Sequence, residues 1–307
     1  MPALPLVAVF GPTGVGKTAV AVALAERLRA DGEDPVAVSA DALQVYRGLE
    51  VLTGAASASE RARLEHRLVG ILPVGETFSA GAYARRAHAE IDELVAAGRR
   101  PIVVGGTGLY LRAALAELDL RPPVPPAVRA RWNDVLAREG APSLHAELAR
   151  RAPATAAGVG PRDAQRVVRA LELLDTGHAP PPGAGDPSQL WTADTRHQTL
   201  LAGLVMDRAA LRVRIDARVE GMVAAGAADE VRAADAAGAS ITARRALGFD
   251  ELLRGDVAGM QQRTRRYAKR QLTWMRRLAG VHLLDVTGRR PEAVAAELLG
   301  LLRERTP

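Results

Sequence analysis

Gly11-Pro12-Thr13-Gly14-Val15-Gly16-Lys17-Thr18 fits the pattern G-x-x-x-x-G-K-[ST] at every fixed position. Before it, Leu6 to Phe10 is an apolar run of strand length; after it, Thr18 to Ala30 sets Ala, Val and Leu on one face of a helix. A strand, a glycine-rich loop and a helix in that order make an anion cradle. Gly14 and Gly16 let the backbone approach a phosphate, the helix N-terminus offers oriented N–H groups, Lys17 adds charge and Thr18 offers a hydroxyl to magnesium. The motif leaves open whether a nucleotide or a diphosphate is held.

Lys17 stands out for a second reason. Of the 41 basic residues only Lys17 and Lys269 are lysine, and the rest are arginine. An ammonium is a compact point charge that fits among phosphate oxygens where a planar guanidinium does not, so a lysine retained inside the loop has a chemical reason to be there.

Outward from the loop, Pro35 to Ser39 reads as a second strand ending at Ala40-Asp41, and Pro101 to Val104 as a third ending at Gly105-Gly106-Thr107. Both deliver polar residues at their C-terminal ends, where ligands sit in open α/β sheets. Ala80 to Ala97 is a crossover helix closed by Gly98. Strands alternating with helices predict an α/β fold with a doubly wound parallel sheet. After Leu115 the texture changes: Arg121-Pro-Pro-Val-Pro-Pro126 opens a run of helical patterns that Ala179-Pro-Pro-Pro-Gly-Ala-Gly185 closes. Leu200 to Val205 resumes as a strand, helices follow over Arg208 to Ala237 and Met260 to Leu278, and a last strand lies near Val281 to Asp285. The expected organisation is a P-loop core of residues 1–115 and 192–307 with a helical insertion over 116–191.

Bulk composition sets the class. A chain of 307 residues, 48% of them apolar, supports a sizeable core, and the absence of cysteine excludes disulfides and thiolate metal sites and fits a cytoplasmic setting. The start, Met-Pro-Ala-Leu-Pro-Leu-Val-Ala-Val-Phe10, has no basic leader, and no segment reaches the roughly twenty apolar residues of a membrane span. A soluble monomer is expected. The formal charge of +6 attracts acidic partners such as nucleic acid or diphosphate, with arginine-rich compositional drift as the alternative reading.

Taken in order, Gly11 to Thr18, Ser39-Ala-Asp-Ala-Leu-Gln-Val-Tyr-Arg-Gly48, Gly105-Gly-Thr-Gly-Leu-Tyr110, Asp163-Ala-Gln-Arg-Val-Val-Arg-Ala-Leu-Glu172 and Lys269-Arg-Gln-Leu-Thr-Trp274 resemble the tRNA dimethylallyltransferases, also called tRNA isopentenyltransferases, over nearly the whole chain. The resemblance implies transfer of a dimethylallyl group from dimethylallyl diphosphate, with magnesium, to the exocyclic amine of the adenosine beside the anticodon of tRNA. It implies Asp41 as general base, Thr107 hydrogen-bonding the amine, and Lys17 in catalysis. It also implies tRNA contacts at Asp41, Ala42, Leu43, Gln44, Thr107, Arg129, Gln165, Arg166, Val167, Val168 and Arg169 of the anticodon-loop grip. The residues alone leave alternatives: Asp41 capping a turn, Thr107 as a strand-end residue, Arg129 on a solvated helix face and Trp274 in the core. Arg166 and Arg169, three apart, suit a phosphate-facing stripe.

Three stretches depart from the family pattern: Ala42 replaces the usual Ser, Leu52-Thr53-Gly54-Ala55-Ala56 replaces Gly-Thr-Ala-Lys-Pro, and Gly160-Pro161-Arg162 replaces His-Pro-Asn. All fall at the acceptor side. Competing readings are a P-loop kinase, a prenyltransferase acting on free adenine nucleotides and a non-enzymatic RNA-binding protein. The kinase explains the loop but not its company, because the third strand ends in Gly-Gly-Thr and lacks the acidic residue of a metal-dependent nucleotide hydrolase.

Overall fold

The computed structural model describes residues 5–181 and 189–305; the Pro/Gly stretch expected to close the insertion falls, from residue 182 on, outside the described residues. The chain divides into two compact units, one of residues 1–118 and 190–307, the other of residues 119–189.

The first unit is built on six strands, β1 (Leu6–Phe10), β2 (Pro35–Ser39), β3 (His66–Arg67), β4 (Arg100–Gly105), β5 (Thr199–Val205) and β6 (His282–Asp285), in the order β3-β2-β4-β1-β5-β6. Every pairing among them is parallel. β1, Leu-Val-Ala-Val-Phe, is buried along its whole length, as a strand covered on both faces must be. Around the sheet run α1 (Lys17–Ala30), the short α2 (Glu50–Thr53) and α3 (Ala58–Arg63), then α4 (Ala80–Ala96) and α5 (Gly108–Leu115). The long core helix α1 packs on the last helix of the chain in a cluster that includes Leu24, Leu28, Leu298 and Leu302.

The second unit contains α6 (Pro126–Arg151), α7 (Pro153–Ala157) and α8 (Ala164–Asp175). α6 is two helical segments, because Gly140 adopts φ 79°, ψ 165° and Pro142 follows with no N–H to continue the ladder. Its core gathers Leu144, Leu148, Val167, Val168 and Leu171, each worth about 1.5–3 kcal/mol of burial. Arg129 meets the buried Glu172 in a bidentate pair at 2.9 and 3.1 Å, and Arg169 reaches the same carboxylate at 3.3 Å while donating to the carbonyls of Arg121 and Pro122. The first unit then resumes with α9 (Arg208–Ala224), α10 (Ala227–Ala236), α11 (Phe249–Leu253), α12 (Val257–Met275) and α13 (Pro291–Arg303).

The expected strands are present, with β4 starting one residue earlier and ending one later than Pro101 to Val104. Expected helix Met260 to Leu278 runs instead from Val257, where Asp256 caps the Gly259 N–H, to Met275. β3 is an addition: two residues are too few to show a period of two. All strands point the same way, so β1, β2 and β4 end on one edge, and β1, hydrogen-bonded to β4 and β5, marks the place where the strand order reverses.

At that edge Gly105 presses on the segment that follows β2: a Cβ there would lie 2.3 Å from the Ala40 carbonyl oxygen, which is backbone and cannot move aside. Gly105→Ala is therefore expected to cost about 2–3 kcal/mol, and Gly300→Ala, in open space on α13, to be neutral or stabilising by up to about 1 kcal/mol. Thermal unfolding of the two variants checks this, and equal melting temperatures would contradict it. In the second unit, Glu172→Ala should destabilise by about 2–3 kcal/mol and Arg129→Ala by less than about 1, since the Arg129 side chain is 53% exposed and Arg169 still holds the carboxylate. Denaturant titration that found Arg129→Ala the more damaging change would refute that ordering.

Candidate active site

The loop between β1 and α1 takes its shape from two left-handed glycines, Gly14 at φ 81° and Gly16 at φ 100°. Gly16 is the N-cap of α1 and supplies no side-chain cap, so the first N–H groups of the helix face outward as an anion site. Lys17 Nζ donates to the carbonyls of Gly11 and Pro12, each at 3.0 Å. Burial pulls its pKa from the usual lysine value down to about 8; Arg218 presses in the same direction and Asp41 opposes. Val15 is 2% exposed and belongs to the core, so the loop presents Thr13, Gly14, Gly16, Lys17 and Thr18 to the cavity, while Gly11 and Pro12 support Lys17 from behind.

Beyond β2 the chain continues the ladder for one more residue, the Ala40 N–H donating to the Val104 carbonyl at 2.8 Å, and then turns. Asp41 makes that turn: its Oδ1 accepts the Leu43 N–H at 2.9 Å and the Gln44 N–H at 3.4 Å. The turn reading and the catalytic reading are compatible, because both bonds use one oxygen and Asp41 still lines the cavity. Gln44 accepts from the Ser39 hydroxyl at 2.9 Å and donates to the Gly54 carbonyl at 3.3 Å, tying the turn to the wall that follows. Arg218 of α9 donates to the same carbonyl at 3.1 Å.

Beyond β4, Thr107 is the N-cap of α5, yet its hydroxyl caps no backbone N–H. It lies 3.0 Å from the phenol of Tyr267 on α12. Burial, reinforced by Asp41, pushes that phenol up to about 12, so it is neutral near pH 7 and free to donate or accept. One turn further along α12, the Gln271 carboxamide accepts the Thr13 N–H at 2.9 Å and donates to the Gly106 carbonyl at 2.7 Å.

Lys17, Thr18, Asp41, Ala42, Leu43, Gln44 and Thr107 thus line a single cavity of about 830 Å³. Cationic Arg214 and Arg218, four apart on α9, line it as well. The arrangement can hold a diphosphate at the loop and present a carboxylate and a hydroxyl to a second group beside it. In the other unit, the side chains of Gln165 and Arg166 are exposed, whereas Val167 and Val168 are 0% and 7% exposed in the core, so their side chains are not offered to a ligand. Arg169 is not part of a free stripe with Arg166: it is held by Glu172, as is Arg129.

Several groups escaped sequence reasoning. Gln271 sits in the Lys269 segment without a charge of its own, and Arg214 and Arg218 are indistinguishable by sequence from the other arginines. Lys269 itself is exposed on α12 and does not line the cavity. Trp274 is half-buried, 4.5 Å from Trp191 between ring centroids, and its ring occupies the space that a Cβ on Gly108 would need.

The family model for IPP transferases matches residues 44–278. The tRNA dimethylallyltransferase of Thermobifida fusca is 41% identical over 292 residues, covering 91% of this chain and 89% of that protein. The same enzyme of Anaeromyxobacter dehalogenans is 43% identical over 290 residues, covering 90% and 93%. Among solved structures, the full-length tRNA isopentenylpyrophosphate transferase of Bacillus halodurans superposes with a TM-score of 0.68 at 31% identity over 98% of this chain and 97% of that one. A eukaryotic dimethylallyltransferase acting on tRNA, 22% identical with a TM-score of 0.76 over 99% and 81% of the two chains, shares the fold. The P-loop, the turn at Asp41 and the Gly-Gly-Thr strand end occur here on a chain that belongs to the tRNA dimethylallyltransferase (IPP transferase) family.

Proposed function

We propose that this protein transfers the dimethylallyl group of dimethylallyl diphosphate to the exocyclic amine of the adenosine next to the tRNA anticodon and releases diphosphate. The observation that carries the reading is the convergence of the diphosphate loop, Asp41 and Thr107 on one cavity. In this chemistry the bond from the allylic carbon to the diphosphate oxygen breaks, a bond from the adenosine nitrogen to that carbon forms, and the nitrogen gives up one proton.

The leaving diphosphate gathers negative charge. The N–H groups at the start of α1 and the Lys17 ammonium are placed to stabilise it, and Arg214 and Arg218 add positive charge from the facing wall. No cluster of three or more His, Cys, Asp or Glu suited to a metal occurs among the described residues. The hydroxyl of Thr18 with the oxygens of the diphosphate itself suits a hard cation such as magnesium, held together with the substrate. When bound, it would neutralise charge on the leaving group.

On the acceptor side, Oδ1 of Asp41 is occupied by backbone N–H groups, which fixes the carboxylate and leaves Oδ2 to take the proton from the amine. The Thr107 hydroxyl, held by Tyr267, orients that amine. An adenosine must leave its stack to reach the cavity. The helical unit of residues 119–189 would grip the anticodon stem and loop, chiefly through exposed Gln165 and Arg166, with Arg129 and Arg169 as guanidiniums pre-set by Glu172. The reading includes a monomer that works in the cytoplasm. No helix of the described residues is long and apolar enough to cross a membrane.

Incubation with magnesium, dimethylallyl diphosphate and unmodified tRNA, followed by digestion and mass spectrometry, should yield prenylated adenosine. Reaction of AMP or ATP in parallel with no reaction of tRNA would overturn the acceptor assignment. Asp41→Asn keeps an acceptor oxygen for the Leu43 and Gln44 N–H groups, so the turn survives; turnover should fall by about a hundredfold or more while tRNA affinity stays within about threefold. Unchanged turnover would remove Asp41 from the chemistry.

Lys17 gives a pH dependence. Its pKa of about 8 leaves it protonated at pH 7 and neutral at pH 9, so in the free protein the cation that meets the diphosphate is lost as pH rises through 8. The phosphates of the donor are already ionised above about pH 7. Donor affinity measured by calorimetry is expected to weaken from pH 7 to pH 9 by up to about tenfold per pH unit above 8, and Lys17→Ala should abolish the slope. A flat profile in the wild-type protein would show that Lys17 does not meet the donor.

A further inference from the structure

At the C-terminal edge of the sheet, β1 and β4 stop being held by each other. Their last paired residues are Phe10 and Gly105, and beyond these the chains part, one into the phosphate loop and the other into Gly106-Thr107. The donor is held on the first branch and the acceptor on the second, so the separation of the two branches sets the distance between the reacting groups. No ladder hydrogen bond fixes it.

Gln271 stands where the ladder gives out. It is 4% exposed, projects from α12, and uses both ends of one carboxamide: the oxygen accepts the Thr13 N–H of the phosphate loop, and the nitrogen donates to the Gly106 carbonyl. The orientation of the amide follows from its partners, because the flipped group would set N–H against N–H and oxygen against oxygen. Packing at the point is close. A Cβ on Gly106 would come within 2.3 Å of Gln271 Nε2, 3.1 Å of the Gly11 carbonyl oxygen and 3.3 Å of Lys17 Nζ.

The rest of α12 runs along the same segment. Tyr267 holds the Thr107 hydroxyl and Trp274 covers Gly108, so residues 106, 107 and 108 each meet one side chain of this helix. Gln271 alone among these three also holds the phosphate loop.

Resting on the prenyl-transfer reading, we propose that Gln271 is a positioning residue, a clamp between the phosphate loop and the Gly106-Thr107 branch that sets the alignment of donor and acceptor. It lies in the wall of the cavity, and its effect is on the geometry in which the two substrates meet. A misalignment of two bound reactants lowers turnover far more than it lowers binding.

The test compares wild-type protein with Gln271→Met, which fills the volume and loses both bonds, and Gln271→Glu, which keeps an acceptor for Thr13 but sets a carboxylate against the Gly106 carbonyl. Steady-state kinetics with dimethylallyl diphosphate and tRNA should show kcat reduced about tenfold to a hundredfold in both, with KM for each substrate within about threefold. Hydrogen exchange should show the Thr13 amide protected in the wild type and exchanging at least about tenfold faster in Gln271→Met, with Gln271→Glu the less affected at that site. Unchanged kcat in both variants overturns the proposal, as does a change confined to KM. Unchanged exchange at Thr13 overturns the clamp independently of any activity, so it decides the matter even if the wild-type protein transfers no prenyl group. Should Gln271→Met fail to fold, Gln271→Asn, too short by one methylene to span both partners, takes its place with the same expectations.

Discussion

The hydrogen bonding of β1 to β4 on one side and β5 on the other is the constraint on which the rest depends. Because all strands run parallel, it brings the end of β1 beside the end of β4, with that of β2 next in line. The phosphate loop, Thr107 and Asp41 are each the first polar residues after those ends. A slip of one residue in the β1–β4 register would turn every side chain to the opposite face and move the branches apart. The ladder pairing of β1 with β4 and β5 holds that register, so the apolar strand Leu6 to Phe10 indirectly sets the geometry of a polar site.

Charge is divided in the same spirit. Many arginines of this chain are committed to acidic partners: Arg129 and Arg169 to Glu172, Arg263 to Glu251, Arg265 to Asp216. Lys17 has instead two carbonyls for company and a lowered pKa, an arrangement that costs stability without a ligand and is relieved by an anion. Arg214 and Arg218 add to the positive field at its mouth. The formal charge of +6 is therefore a weak guide to function, whereas the placement of these three cations is a strong one.

Much of the fold was legible in the sequence. Apolar runs bounded by Gly and Pro located five of the strands, and the phosphate motif between a strand and a helix named the architecture. The two-residue β3 was not legible, since so short a segment carries no period. Within the site, Lys17, Thr18, Asp41 and Thr107 were readable because each follows a strand end or belongs to a motif. Gln271 was not, because its partners are backbone groups 258 and 165 residues away in sequence, and a carboxamide following Lys269 and Arg270 gives no signal of them. The arginine pair Arg166 and Arg169 shows the opposite failure. Helical spacing placed both on one face, but a buried glutamate three residues on, invisible to spacing, claimed one of them.

The central claim is spatial: a diphosphate on the loop with its allylic carbon turned toward Asp41 and Thr107. A crystal structure with magnesium and the unreactive thiodiphosphate analogue of the donor tests it most directly. The account predicts diphosphate oxygens on the N–H groups of residues 14–18 and the Lys17 ammonium, with the prenyl chain lying in the cavity between Asp41 and Thr107. A diphosphate bound elsewhere, or a prenyl chain pointing away from Asp41, would contradict it.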